Sequence, residues 1–340
     1  MGNVAPITDV RDIAHIAYGF KASKALFSAI DLGIFGHLAG TTKSLAVLSA
    51  LTAVPPNRLE ALLTALCGLA LLSKTDDCYR NAPACDEYLV PGKRGYFGDY
   101  FRLQTDKFIF PAFAHLTTLL TDGQTPAQWR KYDALMRDPV EANTFSRGQH
   151  SGSLGPAAAL AKKLDVSTRK AVLDVGGGSG AFTIMLCKRN PSLRSTIFDF
   201  PHALSVAREY VEQEGLSDRV LFAAGDVLQT QWPPGHDVVL MSYLLSAVDG
   251  DVINVLTSRS FAALAPGGTL VVHDFIVDDD KSGPRDAALW FLTCLFNAPG
   301  AIVLSPERFR KSLEQAGFVG VTVDALIPGL TGIVQGFKPG

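Results

Sequence analysis

Residues 171–182, AVLDVGGGSGAF, constrain the fold more than any other stretch of the chain. Residues 171–175 read as a buried strand carrying one acid, Asp174, and Gly176, Gly177, Gly178, Ser179 and Gly180 then turn the chain into a helix beginning near Phe182. A loop this rich in glycine lets the backbone come close to a ligand, and N–H groups at a helix N-terminus favour a negative group on it. On these residues alone the loop serves a nicotinamide or flavin nucleotide equally well, or simply turns a strand into a helix.

The next two strands narrow the choice. Residues 194–198 read as a second strand ending at Asp199, within FDFP, where an acid is placed to take both hydroxyls of a ribose. Residues 220–224 read as a third, followed by Gly225-Asp226-Val227. An acid with an apolar neighbour suits an adenine whose exocyclic amine is hydrogen-bonded and whose ring is packed. Asp174 is expected to orient the loop or a ligand ammonium. Three aspartates at successive strand ends suit a ligand with a sulfonium and an amino group better than one with a pyrophosphate. Ala181 stands where G-x-G-x-x-G needs its third glycine, which disfavours an NAD-linked dehydrogenase.

In this order, DVGGGSG, FDFP, GDV, LAPGG (264–268) and VVHDFIVDDD (271–280) resemble the class I S-adenosylmethionine-dependent methyltransferases. The likeness is to the small-molecule O-methyltransferases of the caffeic acid and hydroxyindole type, and it runs over nearly the whole chain. It implies an α/β fold, a Rossmann-like doubly wound sheet preceded by a mainly helical, winged-helix dimerisation domain. It also implies S-adenosyl-L-methionine as cofactor and a homodimer acting on a small aromatic or polyketide-like natural product. The corresponding division is a dimerisation domain over residues 1–98, a helical connector contributing to the substrate pocket over 99–165, and a cofactor-binding domain over 166–340. Cofactor contacts fall on Ser153, Asp174, Gly176, Gly178, Asp199, Phe200, Asp226, Val227 and Ser242. Ser153 takes the position where a hydroxyl meets the cofactor carboxylate, and Gln149 the one where the family often has methionine near the transferred methyl.

Residues 10–40 carry apolar side chains at helical spacing, among them Ile13, Ile16, Phe20, Leu26 and Ile30, more than one small domain buries. Part of this stripe is expected to pack on another subunit. Residues 44–72 read as two short helices separated by Val54-Pro55-Pro56, and residues 73–89 as short extended pieces around Thr75-Asp76-Asp77. That pattern also raises a winged-helix DNA-binding regulator as a hypothesis. Its recognition helix, residues 57–72, carries Arg58 as its only cation, whereas a phosphate-contacting helix offers several.

Further along, residues 96–165 read as mainly helical, with 139–149 leading through His150-Ser151-Gly152-Ser153 into a helix over 156–163. Residues 236–241 and 269–274 read as the fourth and fifth strands, and 320–325 with 331–337 as an antiparallel hairpin at the sheet edge. Trp290, Phe291, Leu295 and Phe296 suit either an aromatic lid over a substrate or the core.

With 340 residues, 47% of them hydrophobic, the chain can bury a core of about two domains. A net charge of -2 offers no basic surface for nucleic acid. Five cysteines (Cys67, Cys78, Cys85, Cys187, Cys294) form no C-x-x-C pair, which fits reduced thiols in the cytoplasm. Dispersed histidines predict no metal site, and no G-x-S-x-G nucleophile elbow for hydrolysis is present. Neither a secretion signal nor a membrane span is read at the N-terminus, and Met1-Gly2-Asn3-Val4-Ala5-Pro6 lacks the hydroxyl residue of a myristoylation motif.

The reaction centre departs from the family pattern. In the resembling enzymes a histidine after the fourth strand is the base, held by acidic partners. Counting back from Pro266-Gly267-Gly268 puts Ser246 at that position, within YLLSAVDGD; Asp274 keeps one supporting acid, and Val303 replaces the later glutamate. A serine has no useful basicity near neutral pH, so three readings stand open. Methylation proceeds without that base, on an acidic phenol, an enol, a carbon or an amine. Another group substitutes, His150 beside Ser153 or His273 beside Asp274. Or the cofactor is kept as a positive charge for a cyclisation or rearrangement.

Overall fold

The computed structural model describes residues 6–340, and the chain divides into two units, Met1–Phe108 and Ile109–Gly340. The myristoylation reading rests on residues 1–6, of which 1–5 lie outside the described part.

In the first unit, α1 (Val10–Asp31) starts where the Asp9 carboxylate accepts the Arg11 N–H, and Gly33, at φ +67°, separates it from α2 (Ile34–His37). There follow β1 (Lys43–Ser44), α3 (Leu45–Thr52) capped by the Ser44 hydroxyl, α4 (Pro56–Gly68), β2 (Leu72–Thr75), β3 (Cys78–Asn81) and α5 (Pro83–Tyr88). The strands form a small antiparallel sheet in the order β1-β3-β2. α4 stops at Gly68, short of the residue 72 read from sequence. Ala70 turns to φ +56° and the Leu71 N–H returns to the Leu66 carbonyl, so Leu72 enters β2. The core of this unit gathers Ile34, Phe35, Leu48, Leu59, Leu63 and Leu66. α1 buries only Phe27, Ala29 and Ile30; Val10, Ile13, Ile16 and Phe20 are exposed.

A ten-residue π-helical stretch, Tyr100–Ile109, leads into α6 (Phe110–Ala112), α7 (Leu116–Asp122), α8 (Tyr132–Leu135) and α9 (Pro139–Lys163). α9 is a single helix: it runs through His150–Ser153 and past Pro156, giving up only the ladder bond that a proline cannot donate. Its first turn is capped by Asp138, which accepts the N–H groups of Val140 and Glu141 at 2.9 and 3.1 Å.

The remaining elements are β4 (Ala171–Val175), α10 (Ala181–Arg189), β5 (Arg194–Asp199), α11 (Pro201–Gln213), β6 (Val220–Ala224), β7 (His236–Ser242), α12 (Val252–Ala263), β8 (Leu264–Phe275), α13 (Arg285–Asn297), α14 (Pro306–Gln315), β9 (Val319–Ile327) and β10 (Thr331–Phe337). They build a seven-stranded sheet in the order β6-β5-β4-β7-β8-β10-β9, parallel from β6 to β8, with β10 antiparallel to both neighbours. β8 begins five residues before the expected 269 because Leu264 already pairs with His236; a register shift then follows. Strand order reverses between β4 and β7, the place where parallel sheets open a crevice.

Alternation along each strand divides the core between the two faces. Val172, Leu240, Val271 and Ile333 pack with α9, α10 and α11; Leu173, Val239, Val272 and Val334 pack with α12, α13 and α14. On α13, Phe291 belongs to this second core, Trp290 stacks on Phe275 at 4.8 Å between centroids, and Phe296 is fully buried against Phe113 and Trp129. These rings are core, and the reading of them as a lid gives way to it.

Gly155 lies exposed inside α9, at a φ outside the left-handed region, with nothing within 4 Å of where a Cβ would stand. Pro156 follows it, however, and a proline Cδ crowds the Cβ of any preceding residue held in a helix, so Gly155→Ala is expected to lower the urea midpoint at unchanged slope in spite of alanine's higher helix propensity.

Candidate functional site

The glycine loop after β4 lies flat on the sheet because side chains are excluded from it. A Cβ on Gly177 would stand 2.8 Å from the Asp174 Cγ and 2.9 Å from the Ile197 Cγ2. Gly176, Gly178 and Gly180 hold φ values of +67°, +52° and +77°, and the Gly176 N–H donates to the Phe198 carbonyl at 2.8 Å. Gly178 faces open space: nothing lies within 4 Å of its missing Cβ.

Asp199 hangs at the tip of β5. Its Oδ2 accepts the Gly178 N–H at 2.8 Å and its Oδ1 the Phe200 N–H at 2.7 Å. The Tyr132 hydroxyl, from α8, adds longer contacts of 3.3 and 3.4 Å. Burial pushes the carboxyl up to about 6 in spite of those donors. Tyr132 is itself raised well above its ordinary value, by burial first and then by the charge of Asp199, and its ring packs edge-on to Phe145 and at a tilt to Phe200. Nothing in the local sequence marks Tyr132, which stands 67 residues from its partner.

Asp174 lies beneath the loop. Its Oδ2 accepts the Thr183 hydroxyl at 2.8 Å, the Thr183 and Ser195 hydroxyls meet at 3.0 Å, and its Oδ1 is buried without a partner. Burial, with the nearby Asp199 charge, raises it to about 6. Past β6, Asp226 accepts the Leu228 N–H at 2.8 Å on Oδ1, and Val227 is half-buried against the core. The Ser242 hydroxyl, at the tip of β7, is buried without a partner, and Tyr243 beside it holds a left-handed φ of +56°, the kind of strain that gathers at functional sites. No sequence motif points to Tyr243.

On α9, Ser153 is buried and Gln149 half-buried. His150 sits 3.0 Å through Nδ1 from the Ser179 hydroxyl, and its ring stacks on Tyr210 at 3.6 Å. Burial pushes it down to about 4, so it is neutral and weakly basic near pH 7.

Ser246 falls in the 3₁₀ turn Leu245–Ala247 and is 2% exposed. Its N–H donates to Asp274 Oδ2 at 3.0 Å, and Asp274 Oδ1 accepts the Phe275 N–H at 2.9 Å. Asp274 is fully buried and raised to about 6 by that burial; burial first, and then the charge of Asp274, push the Cys294 thiol up to about 12. His273 faces the other side of β8, a consequence of the strand's two-residue period. It meets the Thr331 hydroxyl at 3.0 Å, lies against Phe182 and Tyr243, and falls to about 3 on burial. Neighbours in sequence, His273 and Asp274 do not share a site.

Among the described residues no cluster of three or more His, Cys, Asp or Glu is placed to hold a metal, and no helix is long and apolar enough to cross a membrane. A family model for an O-methyltransferase domain matches residues 114–319, and one for an O-methyltransferase dimerisation domain matches residues 14–91. The chain is similar to the 3-hydroxy-5-methyl-1-naphthoate 3-O-methyltransferase of Streptomyces sahachiroi, with 33% identity covering 96% of this chain and 94% of that protein. It is also similar to the tetracenomycin polyketide synthesis 8-O-methyl transferase TcmO of Streptomyces glaucescens, with 32% identity covering 99% and 100%. Human N-acetylserotonin methyltransferase, solved in complex with SAM, shares the fold at a TM-score of 0.88 and 21% identity, covering all of both chains. With a glycine loop, strand-tip acids and a helical N-terminal unit in one chain, this protein belongs to the O-methyltransferase family and is an S-adenosylmethionine-dependent methyltransferase.

Proposed function

We propose that the chain methylates an oxygen of a small aromatic, polyketide-like acceptor whose hydroxyl ionises without help from a side-chain base. The acceptor class follows the two Streptomyces relatives, whose names are those of a naphthoate and a polyketide O-methyltransferase. The observation that carries the reading of the site is the buried Asp199 carboxylate, anchored on the loop through Gly178 at 2.8 Å and held only at 3.3 Å or more by Tyr132. Those longer contacts are the ones a pair of ribose hydroxyls displaces.

The surrounding residues fit S-adenosyl-L-methionine. Asp226 is free to accept an adenine amine while Oδ1 keeps Leu228; Val227 and Phe200 offer apolar surface; Gly176 and Gly178 allow close approach of the backbone. The partnerless Ser242 hydroxyl, the buried Ser153 and, from below, Asp174 complete the polar set. When bound, the cofactor supplies an electrophilic methyl on a sulfonium. The chain's own part is to hold an acceptor atom in line with it and to exclude water, an arrangement worth up to roughly 7–11 kcal/mol.

No side chain at Ser246 or Asp274 serves as the base. Ser246 has no basicity near neutral pH, and both Asp274 oxygens already accept backbone N–H groups that tie the turn to β8. His150 supports the glycine loop through Ser179 and, at about 4, is poorly matched to proton removal. An acidic phenol or enol needs none. The same absence of a base favours, as a second reading, an amine or carbon acceptor. We further propose a cytoplasmic homodimer, supported by the dimerisation domain, by the exposed Val10, Ile13, Ile16 and Phe20 on α1, and by five free cysteines.

Asp199→Ala is expected to weaken binding of S-adenosylmethionine about 5- to 100-fold by calorimetry; unchanged affinity would refute the ribose placement. Because Asp199 is raised to about 6, its carboxylate is ionised above that pH and protonated below it, so wild-type affinity for the cofactor should fall as pH drops from 7 to 5. Equal affinities across that range contradict the role. Ser246→Ala and His150→Ala should each leave the pH profile of kcat unmoved, whereas loss of a true base costs about 100- to 10,000-fold.

A further inference from the structure

We propose that Arg259, on α12, is a positioning residue that gives the site its preference for adenine by fixing the turn that carries Asp226 and Val227. The inference rests on the reading of Asp226 as the adenine acid.

The turn after β6 closes on itself. The Asp226 carbonyl accepts the N–H groups of Gln229 and Thr230 at 3.1 and 2.8 Å, and the Asp226 N–H donates to the Thr230 hydroxyl at 3.2 Å. It is one turn of helix that does not continue, so the carbonyls of Val227, Leu228 and Thr230 find no donors in a next turn. Arg259 supplies them. Nη1 donates to the Val227 carbonyl at 2.9 Å and the Thr230 carbonyl at 3.0 Å, and Nη2 to the Leu228 carbonyl at 2.5 Å. The Trp232 Nε1 donates to the same Val227 carbonyl at 2.8 Å, so that oxygen carries two donors. The indole is 6% exposed and set edge-on to Phe198 of β5, which anchors this second donor in the core.

Arg259 forms no ion pair among the described residues; its guanidinium faces the turn alone. Three carbonyls converging on one planar fork define the turn's geometry in a way the point charge of a lysine does not reproduce. Asp226 and Val227 lie on that same turn, with Asp226 Oδ1 already committed to Leu228. Arg259 thereby sets where the second carboxylate oxygen stands without touching the cofactor. A loosened turn lets the carboxylate drift, and the penalty for a base lacking the amine shrinks.

The test compares affinities for S-adenosylhomocysteine and S-inosylhomocysteine, which differ in replacement of the exocyclic amine by a carbonyl oxygen and in the proton that N1 thereby gains, by calorimetry on the full chain. Wild type is expected to prefer the adenine compound, and Asp226→Ala to erase the preference. Arg259→Met should narrow the ratio by about fivefold or more, with Arg259→Lys between it and wild type. The ratio is internal to each folded variant, so a general loss of stability does not move it. Should Arg259→Met fail to fold, Arg259→Lys and Trp232→Phe, which deletes the other donor to Val227, carry the same expectation. A ratio kept at the wild-type value in the Arg259 variants, while Asp226→Ala erases it, overturns the inference and leaves the adenine reading intact. No preference in wild type, or one that survives Asp226→Ala, overturns the adenine reading and this inference with it.

Discussion

The contact on which the rest depends is the Asp199 carboxylate bonded to the Gly178 N–H at 2.8 Å, a buried charge accepting from a loop that only glycines let lie so close to the sheet. A buried carboxylate is tolerated when donors surround it. Here the loop provides one, the start of α11 another, and Tyr132 a looser third. The loop's left-handed residues, the close approach at Gly177 and the Thr183–Asp174 bond below all hold Gly178 where it can donate. Under the proposed ribose role of Asp199, affinity for the nucleoside and integrity of the β4–α10 junction draw on the same atoms.

Asp274 still stands at the end of β8, but it ties down the Ser246 turn by backbone bonds where the family's histidine would present an imidazole. Two further histidines near the sheet are neutralised by burial, His150 against Tyr210 and His273 among aromatic rings. On the proposed reading the chain contributes orientation and dryness, and proton loss is left to the acidity of the acceptor.

Local features of the chain were legible in sequence. The glycine loop, the strand acids and the terminal hairpin each depend on a few consecutive residues, and the sheet places Asp199, Asp226 and Ser242 at or just past the carboxyl ends of β5, β6 and β7, on one edge of the sheet. Features made by distant packing were not. Tyr132 reaches Asp199 from a helix with no motif of its own, and the strain at Tyr243 leaves no mark in composition. α9 hid its continuity because Pro156 signals a helix start, while packing on α10 and α11 carries the helix through it. His273 and Asp274, adjacent in sequence, face opposite layers of β8, as Val271 and Val272 do, and a reading by sequence neighbourhood alone does not show that separation.

Methyl transfer without a protein base leaves its mark in single-turnover rates measured against pH for a series of phenolic acceptors of graded acidity. Each profile should rise through the pKa of its own acceptor to a plateau above it, and shift from one acceptor to the next. A profile that stays at one pKa whatever the acceptor would reveal a protein group removing the proton, and would contradict transfer without a base.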